Sequence, residues 1–308
     1  MRALAWRLAA GALYCGLIGG VRAVHAQPRV AGASVPVRIL DARCADTAAV
    51  QRTARPRGPA LQWHPGIVPW SEWRVQLGAR RLPITVIVAD INPQRVQLAL
   101  EISRVGDAMG PWRIDQAPSD AVVAFNAGQF NDVGPWGWVM HRGREWQAPG
   151  VGTLAAGIVV DSGRLVHIVP PDSLASVRLR GGWVEALQSY PLLLSEGRLA
   201  HALCREGAID RGHRDIRMAL GVRRDGHVLV ALSRYAPAEA VRGVTERLPI
   251  GPTTLEMAAI MQLLGAQHAV MLDGGISAQL RVRNGLSDRH WPGLRAVPLA
   301  VVGRVRPP

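Results

Sequence analysis

Apolar positions along this chain gather in short runs separated by polar and glycine-rich breaks, not in long helical stripes. Leu82-Pro-Ile-Thr-Val-Ile-Val-Ala-Asp90 is one such run, and Arg95-Val-Gln-Leu-Ala-Leu-Glu101 alternates apolar and polar residues. Asn92-Pro93 marks the turn between them. The same pattern predicts strands over residues 121–126, 157–161, 165–169, 215–222, 227–233, 268–273 and 299–302. Asp161-Ser-Gly163, Ser195-Glu-Gly197 and Asp225-Gly226 are hairpin-type turns between them. One helix is signalled. Thr253 and Glu256 have the spacing of a capping box, an apolar body follows from Leu255 to Leu264, and Gly265 suits the stop. This pattern predicts an α+β fold: a single mixed, mainly antiparallel domain with few helices.

The ends of the chain read differently. Arg2 and Arg7 precede a mostly apolar run from Leu8 to Val21, short for a membrane span, and Val24-His-Ala26 fits a cleavage site. Residues 1–26 are therefore expected to be a signal peptide, which places the mature chain in the periplasm or outside the cell with no stable membrane span. Residues 27–60 are rich in Ala, Arg and Pro and form a variable lead-in, and residues 61–304 form the domain. After cleavage two cysteines remain, Cys44 and Cys204, which either pair or are simply small buried residues. The net charge of the whole chain is +13, and all of its strong bases are arginine. A uniform coding bias accounts for that; the charge also suits an anionic polymer or a phosphate. The arginines are scattered, without interleaved stacking aromatics, so nucleic acid is not an expected partner.

Candidate chemistry lies where apolar runs end in small or polar residues. His268-Ala-Val-Met-Leu272 runs into Asp273-Gly274-Gly275-Ile276-Ser277. This turn brings together a carboxylate, a hydroxyl and backbone N–H groups able to form an anion-binding nest. Ala124-Phe-Asn-Ala-Gly-Gln-Phe130 presents Asn126 and Gly128, Leu187-Gln-Ser-Tyr-Pro-Leu192 presents Ser189, and Arg217 stands in an otherwise apolar stretch. Arg217 needs an anionic partner, whether a ligand or a structural carboxylate such as Asp215 or Glu256. Ten tryptophans stand against two phenylalanines. Of these, Trp136 and Trp138 could stack on a sugar or belong to the core.

Taken in order, Asn126-Ala-Gly-Gln-Phe130, Arg217-Met-Ala-Leu-Gly221, Thr253 to Glu256 and Leu272-Asp-Gly-Gly-Ile-Ser277 resemble the successive motifs of the phosphodiester glycosidase family. The resemblance runs from about Trp63 to Val302. It departs from the usual pattern at Ala127, Gln129, Ile216, Met218, Ile276 and Ala278. It implies hydrolysis of a sugar-1-phosphodiester at the anomeric C–O bond, with a carbohydrate phosphodiester from envelope or exopolysaccharide material as substrate. In that reading Asp273 is base, nucleophile or electrostatic partner, Arg217 binds phosphate with help from the Gly274 and Gly275 N–H groups, and Glu256 is a second acidic candidate unless it is only a cap. Asn126, Gly128, Ser189 and Ser277 contact the substrate. No cofactor is implied; a divalent metal held by carboxylates that folding brings together stays open. The alternative is a glycan-binding or structural envelope protein of the same fold.

Overall fold

A computed structural model of the chain describes residues 37–38, 61–77, 82–105, 108–205, 207–235, 248 and 250–307. The expected signal peptide and Cys44 lie outside the described residues. The main strands are β1 (Trp70–Leu77), β2 (Leu82–Ile91), β3 (Val96–Ile102), β4 (Ala121–Asn126), β5 (Val139–His141), β6 (Arg144–Gln147), β7 (Ala156–Asp161), β8 (Val166–Val169), β9 (Trp183–Ser189), β10 (Leu192–Ser195), β11 (Met218–Arg223), β12 (Val228–Tyr235), β13 (Ala266–Met271), β14 (Leu280–Asn284), β15 (Ser287–Trp291) and β16 (Leu299–Val305). Two α-helices lie among the described residues, α1 (Pro171–Arg180) and α2 (Thr254–Leu263).

These strands form three principal sheets. The first runs β1-β2-β12-β11-β13-β10, extended by Val37–Arg38 beside β1 and by Arg198–Leu199 beside β10. The second runs β6-β5-β9-β7-β8, and the third runs β15-β14-β4-β16-β3. Every pairing is antiparallel except that of Val37–Arg38 with β1. The fold is therefore mainly antiparallel with few helices, as the run lengths predict.

The strand interiors explain the continuous apolar runs. In β2 the side chains from Thr85 to Val88 are all buried, because the sheet is covered on both faces. A single core cluster takes Val86 and Leu232 from the first sheet, Ile158 and Leu187 from the second and Phe125 and Val301 from the third. The α2 cap is as expected: Thr253 Oγ1 accepts from the Glu256 N–H, and Glu256 accepts from the Thr253 N–H. Gly265 follows with φ +87. Helix α1 was not anticipated. Its sequence has little apolar periodicity, and only Leu174 and Val177 are buried.

The predicted strand at 215–222 begins only at Met218. Asp215 turns its own carboxylate onto the Ile216 N–H at 2.8 Å, and the Arg217 N–H goes to Ser233 Oγ at 2.7 Å. Both N–H groups are therefore bonded to side chains, which keeps residues 215–217 outside the regular ladder.

One buried residue ties the end of β4 to the Asp273 turn. Asn126 ends β4 and is fully buried. Its Nδ2 donates to the Asp273 carbonyl at 2.8 Å and to the Ala127 carbonyl at 3.2 Å, and its Oδ1 accepts from the Gln279 N–H at 2.9 Å. The expectation that Asn126 contacts substrate is corrected here, because its amide is occupied by backbone. Asn126→Ala is expected to lower stability by about 2–4 kcal/mol, since it strands buried backbone groups. Urea denaturation measures this; a loss under about 0.5 kcal/mol would contradict the clamp.

Candidate active site

The Asp273 turn sits where the three sheets exchange chain. Strand β13 of the first sheet ends at Met271 and the chain passes through the turn into β14 of the third. The second sheet reaches the same point where β9 ends at Ser189 and leads into β10. Backbone bonds stitch the three arrivals: Asp273 N–H to the Ala127 carbonyl at 3.1 Å, Leu272 N–H to Met218 at 2.8 Å and Met271 N–H to Pro191 at 3.0 Å.

The Asp273 carboxyl is half-buried. Burial pushes its pKa above the usual aspartate range, and the nearby Asp215 pushes in the same direction. The Ser277 hydroxyl, the Arg295 guanidinium and the Gly274 N–H favour the charged form but do not cancel the burial effect. Ser277 is itself buried and lies in a short 3-10 turn, Gly275–Ser277. Thus the chain delivers a partly desolvated carboxylate with one hydroxyl and one backbone donor aimed at it.

The two glycines are required by close packing. A methyl group on Gly274 would come 2.6 Å from the Ile216 carbonyl oxygen. Gly275 has φ +56, and a side chain there would meet the Asp215 carboxylate. Their N–H groups do not form an open nest. Gly275 N–H donates to Ile216 at 2.7 Å and Gly274 N–H faces the Asp273 carboxylate. The expected phosphate contacts of these two amides are therefore corrected. Ile276, one of the departures noted in the sequence, is 47% exposed and is not among the residues with positive φ, so it fits the turn without left-handed strain.

The other expected site residues divide. Gly128 packs against the Gln188 carbonyl, where a methyl group would approach to 2.6 Å. Ser189 is fully buried; its hydroxyl bonds the Met271 carbonyl and lies 2.9 Å from Gln129 Oε1. Both residues build the wall behind the turn; the buried Ser189 is closed to a substrate, whereas Gly128 is part-exposed. Arg217 lies beside the turn, with its Nη2 donating to the His213 carbonyl at 3.0 Å and its Nε to Pro252 at 3.3 Å. Burial pulls its pKa down while Asp215 and Asp210 raise it. Glu256 is engaged elsewhere: it is buried in a bidentate pair with Arg214 at 2.6 and 2.8 Å in addition to its cap bond. Its candidacy as a second acid is corrected on that geometry, and Arg214, not Arg217, is its partner.

Gln129 and Arg295 were not read as site residues from sequence, and Asp215 was read only as a partner for Arg217. Gln129 Nε2 donates to the Tyr190 carbonyl at 2.6 Å and to Leu272 at 3.3 Å, and its Oε1 accepts from the Tyr190 N–H at 3.1 Å. Its departure from the family pattern was the available signal. Asp215 lies against Gly275, and His213 Nε2 stands 3.8 Å from the Asp215 carboxylate. Arg295 places its guanidinium 4.6 Å over the Phe130 ring. Trp136 meets the part-exposed Tyr190 edge-on at 4.9 Å, whereas Trp138 is entirely core. Among the described residues, no group of three or more His, Cys, Asp or Glu is placed to hold a metal ion. No helix among them is long and apolar enough to cross a membrane.

The order of these elements and the Asp273 turn are matched by a model described as phosphodiester glycosidase, over residues 119–302. The chain belongs to that family. Phosphodiester glycosidase architecture is also found among solved structures. The catalytic domain of zebrafish N-acetylglucosamine-1-phosphodiester alpha-N-acetylglucosaminidase, auto-inhibited by its pro-peptide, superposes with a TM-score of 0.58 at 13% identity, covering 81% of this chain and 87% of that one. A hypothetical protein from Synechocystis superposes with a TM-score of 0.52 at 18% identity over 80% of this chain, which spans 64% of that one. At these identities the structures establish the fold alone. No curated protein matches the chain.

The site's electrostatics are testable without turnover. In a carbon-detected NMR titration Asp273 should titrate above the ordinary aspartate value of about 3.9. Ser277→Ala should move it further up, because the lost hydroxyl favoured the carboxylate. A midpoint at or below the ordinary value, or a downward shift in the variant, would contradict this geometry.

Proposed function

We propose that this phosphodiester glycosidase is an exported hydrolase that cleaves a sugar-1-phosphodiester at the glycosidic C–O bond. The observation that carries this reading is the Asp273 carboxylate, half-buried at the meeting point of three sheets and flanked by Ser277 and Arg295. In the proposed reaction water supplies oxygen to the anomeric carbon, the C1–O bond breaks, and the departing oxygen leaves with the phosphomonoester. A phosphate is a weak base and leaves with little protonation, so a second, acid carboxylate of the ordinary glycosidase kind is not needed. That agrees with the engagement of Glu256 by Arg214.

Asp273 acts on the sugar side of the scissile bond, as base for water or as nucleophile, and its charge stabilises the oxocarbenium-like transition state. Partial desolvation makes the carboxylate a stronger base than one in water. The walls around it are backbone held by Asn126, Ser189 and Gln129, which keeps the carboxylate in place between turnovers. Trp136 and Tyr190 give an aromatic edge on the Gln129 side of the site, suited to the apolar face of a sugar ring. The substrate class we infer is carbohydrate phosphodiester from envelope or exopolysaccharide material. The net charge of +13, which becomes +10 once residues 1–26 with Arg2, Arg7 and Arg22 are removed, supports an anionic polymer of that kind, and the signal-like N-terminus supports its location.

The test is release of free sugar from UDP-N-acetylglucosamine and a panel of glycosyl phosphodiesters. Asp273→Asn should lower turnover at least about 10³-fold on the best substrate. The variant should also be well folded. A raised aspartate pKa means the folded state binds the proton more tightly than the unfolded one. The stability this gives is complete in acid and is lost as pH rises through the folded-state value. Asp273→Asn should therefore match wild type in acid and gain relative to it above the raised pKa, read as melting temperature against pH. Turnover unaffected by Asp273→Asn would remove Asp273 from the mechanism. Polymer binding with no release from any phosphodiester would favour a glycan-binding role.

A further inference from the structure

Arg295 stands out among the groups around Asp273 because its backbone is firmly held while its charge is directed outward. The segment carrying it is built onto the turn itself. Leu294 and Arg295 both donate their N–H groups to the Ile276 carbonyl, at 2.7 and 2.9 Å. Gly293 packs so closely that a methyl group there would lie 3.0 Å from the Ile276 and Ser277 carbonyl oxygens. Beneath it the buried Arg234 guanidinium donates to the carbonyls of Ala278 at 2.8 Å and Pro292 at 3.1 Å. From the outer side Arg113 donates to the Leu294 carbonyl at 3.2 Å. These hydrogen bonds fix the 292–295 segment on the turn, with the Arg295 N–H itself bonded to the Ile276 carbonyl.

Its side chain is different. The guanidinium lies 4.6 Å over the face of Phe130, and among the described residues it makes no side-chain hydrogen bond or ion pair. Stacking on an aromatic face orients a guanidinium and leaves its in-plane N–H donors available. Arg217 offers the contrast: its Nε and Nη2 are turned onto the carbonyls of Pro252 and His213. The charged groups around this corner are Asp273, on the turn, Asp215, which packs against Gly275 and acts on Asp273, and Arg113, on the neighbouring segment. Arg295 is close enough to Asp273 to favour its ionised form. A ligand that touches Asp273 with one end therefore brings its other end within the field of Arg295.

We propose that Arg295, stacked on Phe130, is the residue that recognises the phosphate of the substrate, and that Arg217 frames the 213–217 loop. This rests on the phosphodiester reading, and it adds a discriminating role: Arg295 separates phosphodiesters from uncharged glycosides of the same sugar. A planar guanidinium with free N–H groups binds two phosphate oxygens at once, which a lysine ammonium reproduces only as a point charge.

Phosphate binding tests this independently of turnover. Inorganic phosphate and a glycosyl 1-phosphate are titrated by calorimetry into wild type, Arg295→Met, Arg295→Lys and Arg217→Met, with thermal melting to confirm folding. Arg295→Met should weaken phosphate binding at least tenfold, Arg295→Lys should recover part of it, and Arg217→Met should weaken it less than Arg295→Met. In parallel, kcat/KM is compared for the best phosphodiester and the 4-nitrophenyl glycoside of the same sugar. The loss in Arg295→Met should be at least tenfold larger on the phosphodiester than on the aryl glycoside, whose own change reports the effect of Arg295 on Asp273 ionisation. A folded Arg295→Met variant that binds phosphate as wild type does, or loses both substrates equally, overturns the assignment. An Arg217→Met loss larger than that of Arg295→Met overturns it too. Arg295-dependent phosphate binding in a chain that cleaves no phosphodiester would instead sink the hydrolytic reading and leave the anion site standing.

Discussion

The buried amide of Asn126 is the constraint on which the rest of the site depends. It sits at the end of a third-sheet strand and bonds backbone on both sides of the Asp273 turn, at Asp273 and at Gln279. A buried amide with three backbone partners holds its geometry strongly, because losing any partner leaves a desolvated polar group. The turn can therefore combine two features that usually conflict: a partly desolvated carboxylate, which is costly, and a fixed position, which catalysis requires. Three sheets contribute to that rigidity, since Met271, Leu272 and Asp273 each donate to a different neighbouring segment.

Much of the fold could be read from the sequence because the buried strands announce themselves. Continuous apolar runs such as that of β2 need cover on both faces, and the Thr253–Glu256 box marked the start of α2 by its chemistry alone. What escaped detection was structure specified by context. Strand β14 alternates buried Leu280 and Val282 with Arg281 and Arg283 over only five residues, and β15 buries Trp291 alone, so their apolar signature is too short to stand out; ion pairs between Arg281 or Arg283 and Asp288 line them. Helix α1 has two buried side chains and no strong apolar stripe.

The site was legible in a similar, partial way. The Asp273 turn could be found from an apolar run ending in a carboxylate and two glycines. What its neighbours do could not. Asn126, Ser189 and the two glycine amides all read as substrate contacts, because small polar residues and glycines at a strand end serve ligands and backbone closure equally well. Only the packing shows that they are closed. Arg295 was missed, and Asp215 was read only as a structural partner for Arg217, for the opposite reason: one lies in a loop and the other at a strand entry, and neither has a spacing that ties it to Asp273. Glu256 shows how a residue can satisfy a motif and still be removed from the chemistry, since its carboxylate completes both a helix cap and the Arg214 pair.

The central claim is that the Asp273 turn directs cleavage to the sugar side of a phosphodiester. Hydrolysis in ¹⁸O-labelled water, followed by ³¹P NMR of the released phosphomonoester, tests it most directly. The account predicts no isotope shift in the phosphate, with the label entering the sugar at C1. Label in the phosphate would mean that the P–O bond breaks, and would contradict the account.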